Sequence, residues 1–101
     1  TAIAFGRGSA NLTLDSERDL QDLARRLQSF PRFYLRVIGH ARAEGDPEAN
    51  RVLALARATA AAQLLISQGV SSARIRTEAA LPSARGGEAQ VVSFVVGQVP
   101  Y

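Results

Sequence analysis

The sequence predicts an α/β domain, an α+β sandwich with element order β-α-β-α-β-β and a mixed sheet carrying helices on one face. Three observations predict it. Two stretches, Asp15 to Ser29 and Pro47 to about Gln68, are helical in pattern. The segments around them are rich in β-branched and aromatic residues. Helices placed between strands imply crossover connections, and crossovers imply a mixed sheet.

Ile3 to Phe5 is a short apolar strand candidate, followed by a polar turn through Gly6 and Gly8. The first helix shows one apolar face, with Leu20, Leu23, Ala24, Leu27 and Phe30 recurring at three- and four-residue spacing. Asp15, Glu17 and Asp19 crowd its first turn and Arg25 and Arg26 come later, the order that suits a helix dipole. Pro31 is expected to close it. Phe33 to Ile38 should be a central strand that Gly39 ends.

The loop from His40 to Asp46 leads to Pro47, which fits the first position of a helix capped by Asp46. Gly69 is a natural left-handed stop for that helix. Its middle, Val52 to Ile66, is apolar on nearly every side and is expected to be well buried. After a Ser71–Ser72 turn, Arg74 to Ala79 alternates like a strand at a sheet edge. Leu81 to Glu88 is a loop, and Val91 to Val99 is the last strand, weakened near Gly97.

The 101 residues make a single domain, 1–101, large enough for one modest core. No apolar run approaches the roughly 18 residues needed to span a bilayer, and no signal peptide opens the chain. Thr1 therefore reads as the start of an excised domain or mature segment, with any anchor or export signal outside it. With no cysteine and one histidine, disulfides, thiolate metal sites and His-rich metal sites are excluded, and no cofactor is expected. All 12 basic residues are arginine. That suits a surface made for carboxylate or phosphate, and equally an Ala/Arg/Gly-biased genome. The arginines are scattered, without a basic stripe or an aromatic platform, which speaks against nucleic acid.

An enzyme is not expected. There is no Ser/His/acid or Cys/His set, and no glycine-rich phosphate loop precedes a helix; Gly6-Arg7-Gly8 is too short to count. Asp15, Glu17, Asp19 and Asp22 sit where a solvated helix face would put them.

The most informative stretch is Gly39 to Ala58, GHARAEGDPEANRVLALARA. Gly39, His40, Gly45, Asn50, Leu53, Arg57 and Ala58 resemble, without a gap, the signature of the OmpA-like (OmpA/MotB/Pal) peptidoglycan-binding domain. The resemblance implies the same element order as the periodicity does. It also implies a shallow pocket for meso-diaminopimelate of the peptidoglycan stem peptide, with an Asp taking the ammonium and a helix Arg the carboxylate. Arg57 matches that Arg. Asn50, two helical turns earlier, suits either ligand contact or a hydrogen bond to the loop backbone. Arg57 itself reads two ways, as an anion binder or as a snorkelling arginine paired with a carboxylate of its own protein. Gly39 and Gly45 are expected to permit the chain reversal, and His40 to be structural.

Several polar positions depart from the pattern. Ala41 replaces the family's Thr, Arg42 its Asp, and Ala54 its Ser; Ala89-Gln90-Val91-Val92 stands where the family has N-R-R-V. Arg42 would set a positive charge where an ammonium must sit. Losing one partner of a buried charged pair costs about 2–5 kcal/mol. Affinity should then fall by roughly two to three orders of magnitude or more. One escape exists, in which Glu44 or Asp46 takes the ammonium while Arg42 turns outward; an Arg42–Glu44 surface pair is the alternative.

The candidate ligand-binding set is therefore Arg57, Asn50, Arg42, Glu44 and Ala41. The expected function is that of a periplasmic cell-envelope domain, part of a larger membrane-anchored protein, holding peptidoglycan through a weakened or altered stem-peptide site. The alternative is a degenerate domain that no longer binds diaminopimelate and joins protein partners in a secretion or motility machine.

Overall fold

A computed structural model describes residues 2–5, 8–30, 32–41, 44–80 and 91–98. Strand β1 (Ala2–Ala4) leads to helix α1 (Leu14–Gln28), strand β2 (Phe33–His40), helix α2 (Pro47–Ser67), a 3-10 turn (Ser72–Arg74), and strands β3 (Ile75–Ala80) and β4 (Val91–Gln98). The sheet order is β1-β4-β2-β3. β2 runs parallel to β3 and antiparallel to β4, and β4 runs antiparallel to β1. The sheet is mixed, β2 is central, and β3 lies at an edge, as the crossovers require.

α1 begins where Thr13 accepts a hydrogen bond from the Ser16 amide at 3.1 Å. Leu20, Ala24 and Leu27 are buried on its inner face. The helix ends at Gln28, before Pro31, which lies outside the described residues. Arg74 reaches the end of the helix from across the fold. Its guanidinium donates to the carbonyls of Leu27 (3.0 Å) in the last turn, Phe30 (2.7 Å) beyond it and Phe33 (2.7 Å) at the start of β2, bracing the helix end against the next strand and placing a cation at the negative end of the dipole. Phe30 does not extend the apolar face. It is largely exposed beyond the helix and stacks on Phe33 at 5.4 Å.

α2 starts as expected, with Asp46 Oδ1 accepting from the Glu48 amide at 3.2 Å and Pro47 in the first turn. Its C-cap is Gln68, and Gly69 follows at φ +103°, in the left-handed region that glycine tolerates. The expectation of a helix buried nearly all round is corrected. Ala54, Arg57, Ala58, Ala61, Ala62 and Leu65 are buried, while Val52 and Ile66 are exposed. An apolar sequence carries no periodic signal of which side the sheet covers.

The core lies between the helices and one sheet face, where Leu20, Leu27, Leu35, Val37, Leu65 and Val92 meet. Cutting any of these leucines to alanine would cost about 2–5 kcal/mol. Gly39 does not end β2. The strand continues through Gly39 and His40, which pair with Ala79 and Ala80. β4 likewise runs unbroken through Gly97, opposite Tyr34. The expected loop from Leu81 to Glu88, Val99, and Gly6 and Arg7 of the first turn lie outside the described residues.

On the sheet face away from the helices, Arg36 and Glu78 form a two-pronged ion pair at 2.7 and 2.8 Å. The hydrogen bonds from Arg36 hold the Glu78 carboxyl below its ordinary value, against a smaller opposing effect of desolvation. A carboxyl whose folded value is depressed adds stability above its unfolded pKa and loses it as the pH falls through the folded value. The difference in Tm between the parent chain and Glu78→Gln should therefore be present at neutral pH. It should shrink as the pH drops past about 4.3 and vanish once Glu78 is protonated. A pH-independent difference would assign the effect to packing instead. The pair is partly exposed, so salt should also weaken it.

Candidate functional site

The signature stretch runs from the end of β2 through a loop into α2. At the strand end the two backbones touch. A methyl group placed on Gly39 would fall 1.9 Å from the Ala54 carbonyl oxygen and 2.6 Å from its carbon. Gly39 thus serves a close approach between β2 and α2 rather than a chain reversal. Ala54 is itself buried at this contact. Beside it, His40 Nε2 lies 2.7 Å from Ser93 Oγ on β4, tying the end of β2 across the sheet. Ala41 is buried, and its amide donates to the Ala80 carbonyl at 3.2 Å, which extends the ladder between β2 and β3 by one bond.

The loop that follows is held by its own residues. Asn50 Nδ2 donates to the Glu44 carbonyl at 2.6 Å, from within the first turn of α2 back to the loop. Gly45 takes φ +90°, and here the reversal does require glycine. Asp46 has its carboxylate on the α2 amide end, so Asp46 serves as a cap. Glu44 is exposed on the same loop. Arg42 lies outside the described residues.

Arg57 is 2% exposed. Its Nε donates to the Ser9 carbonyl at 2.7 Å, and its guanidinium carbon lies 5.5 Å from the centre of the Phe5 ring. A buried charge is tolerable only with such partners. These contacts fasten the segment between β1 and α1 onto α2. Of the residues singled out in the sequence, Glu44, Asp46 and Asn50 come together in one loop, while Arg57 reaches to Ser9 and Phe5. Neither partner was legible beforehand. Ser9 contributes only a backbone oxygen, and it is 48 residues away. Ser93, the partner of His40, is equally silent in the sequence. Among the described residues no group of three or more His, Cys, Asp or Glu side chains is placed to hold a metal.

The helix-bearing mixed sheet has known counterparts. The OmpA family model matches residues 4–92. The chain belongs to the OmpA family. Members of this kind are binding modules rather than enzymes. The peptidoglycan-associated lipoprotein of Agrobacterium fabrum is 36% identical over 75 residues, 74% of this chain and 42% of that protein. The probable lipoprotein YiaD of Escherichia coli is 33% identical over 81 residues, 80% of this chain and 37% of that protein. The OmpA-family chain thus spans less than half the length of these curated relatives.

Among solved structures, the peptidoglycan-associated lipoprotein of Burkholderia pseudomallei superposes with a TM-score of 0.83 at 21% identity, over 95% of this chain and 89% of that one. The C-terminal domain of Helicobacter pylori MotB gives 0.81 at 18% identity, over 97% and 84%. These likenesses establish the OmpA-like fold. No helix among the described residues is long and apolar enough to cross a membrane.

Proposed function

We propose that this OmpA-family chain is a periplasmic, cell-envelope domain that associates with peptidoglycan through an altered stem-peptide site. The observation that carries the reading is the standing loop scaffold. Asn50 holds the Glu44 carbonyl, Gly45 turns the chain and Asp46 caps α2, so the frame of the signature is kept where its polar contacts differ. Several relatives are named peptidoglycan-associated lipoproteins, which points to the same partner.

In this reading Glu44, rather than Asp46, supplies the carboxylate for the diaminopimelate ammonium. Recruiting Asp46 would remove an N-cap worth about 1 kcal/mol. Arg57, Asn50, Ala41 and Arg42 complete the proposed surroundings of the ligand. The larger protein to which the domain belongs would hold it at an outer or inner membrane.

The second reading, a domain that has given up diaminopimelate and docks envelope proteins, is favoured by one observation. Arg57 is buried and has its Nε committed to Ser9, which supports a structural arginine.

Calorimetric titration with a diaminopimelate-containing stem peptide separates the two. Binding by the parent chain that weakens at least about tenfold in Glu44→Gln, and again in Arg57→Lys, is expected from the first reading. A parent chain without measurable heat, alongside an Arg42→Asp variant that binds, would sink it, mark the pocket as retired and direct the search toward protein partners. Lysine rather than alanine is used at position 57 because truncation there endangers the fold.

A further inference from the structure

One cavity shares no residue with the signature loop. It lies between one side of α1 and the strands β1 and β4, and its volume is about 100 Å³. Its deepest residues are Ile3 and Leu20, 2% and 0% exposed. Leu23 and Phe94, partly buried, line it nearer the surface. The exposed side chains of Asp19, Asp22 and Arg26 stand at its mouth. Spacings of three, four and seven residues put these α1 positions on one side of the helix. Asp19 and Asp22 are solvated, as the sequence suggests, but they stand over an apolar hollow.

The charges at the mouth are not equally available. Asp22 is spent, since its Oδ1 accepts from Arg25. Asp19 and Arg26 take part in no hydrogen bond or ion pair among the described residues. They are seven residues apart, beyond the three- and four-residue spacing at which helix side chains pair. An anion and a cation thus face solvent with apolar surface between them. We propose that this cavity binds a zwitterion whose ammonium and carboxylate are separated by a short aliphatic chain. The ammonium meets Asp19, the chain lies on Leu23 and Phe94, and the carboxylate meets Arg26.

Size supports the same ligand. Two helical turns separate Asp19 and Arg26 by about 10.5 Å along the axis, and about 2.8 Å for each charge-assisted hydrogen bond leaves about 5 Å between the ligand's charged ends. Roughly three to five methylenes cover that distance. A cavity of about 150 Å³ takes benzene, so this smaller one suits a chain better than a ring. The free end of diaminopimelate carries both charges on one carbon and cannot reach both residues, so the site is independent of the stem-peptide site. The matching chemistry belongs to a free ω-amino acid or to a C-terminal lysine, whose ε-ammonium and carboxylate are spaced alike. Both charged residues are exposed, so each ion pair adds little and the Kd should be about 1 mM.

NMR titration of the 101-residue chain with 6-aminohexanoate tests this. The amide signals of Asp19, Leu23, Arg26 and Phe94 should shift and saturate. Hexanoate and hexylamine, each keeping one charge, should bind about threefold to fivefold more weakly. Asp19→Asn and Arg26→Gln should each weaken 6-aminohexanoate by a similar factor, whereas Asp22→Asn should change it by less than about twofold. All three positions are exposed, and the spectra themselves report whether the fold is kept. A peptide ending in lysine, compared with its C-terminal amide, separates the two sources. Tighter binding by the free-carboxylate peptide than by 6-aminohexanoate assigns the site to a chain end, and the reverse assigns it to a free amino acid. Shifts that do not saturate by about 20 mM overturn the proposal. So does equal binding of hexanoate or hexylamine, or a titration indifferent to Asp19→Asn or to Arg26→Gln.

Discussion

Gly39→Ala should unfold much of this domain's stability margin, lowering it by about 3 kcal/mol, the upper end for forced overpacking. The added methyl would sit 1.9 Å from the Ala54 carbonyl oxygen, and the obstacle is helix backbone, which cannot rotate away as a side chain does. Relief requires β2 and α2 to separate along their contact, which loosens the packing on both sides of it. For a domain of this size the Tm should drop by about 12–24 °C.

Two companions make the result specific. Ala54→Gly should not rescue Gly39→Ala, because the clash is with the carbonyl and not with the alanine methyl. Gly45→Ala, at φ +90° with its nearest neighbour 3.9 Å away, should cost only the left-handed penalty of about 1–2 kcal/mol. Urea unfolding measures all three. A loss under about 1 kcal/mol for Gly39→Ala would mean that the strand–helix contact can open to admit a methyl group.

Arg57→Ala should be still more damaging, by about 3–5 kcal/mol. Hydrogen bonds to a charged group contribute about 1.5–3 kcal/mol, and a desolvated cation over an aromatic ring about 2. Removing the side chain also leaves a cavity against Phe5 and strands the Ser9 carbonyl. With total stabilities of about 5–15 kcal/mol, that is a large share.

Arg57→Lys should fall between, since lysine keeps the charge but cannot present the planar Nε donor in the same place. A double-mutant cycle with Phe5→Leu should show coupling of at least about 0.5 kcal/mol, as for residues in contact. If Arg57→Ala changed stability by less than about 0.5 kcal/mol, the arginine would be behaving as a surface anion site, contrary to its burial.

The same two residues mark how far the sequence could be read. The OmpA-like signature located Gly39, Asn50 and Arg57 because its spacing is contiguous and needs no knowledge of what lies across the sheet. The capping chemistry of Asp46 and Pro47 was legible for the same reason, being local to one turn. The role of Gly39 was not, since the Ala54 carbonyl that demands glycine is brought there by packing. The bracing of the end of α1 by Arg74 was not legible either, since Arg74 is distant in sequence and delivered by the 3-10 turn before β3. The outer face of α2 was hidden because uniform apolarity has no period.

By itself, then, the sequence determined the order of strands and helices, their local caps and membership of the OmpA family, since each depends on residues close together in the chain. The tertiary structure alone decided the order of the strands across the sheet, which side of α2 meets solvent, and that Arg57 spends its Nε on Ser9. Those outcomes depend on contacts between segments tens of residues apart, and a backbone carbonyl or an open helix face leaves no mark in the sequence that creates it.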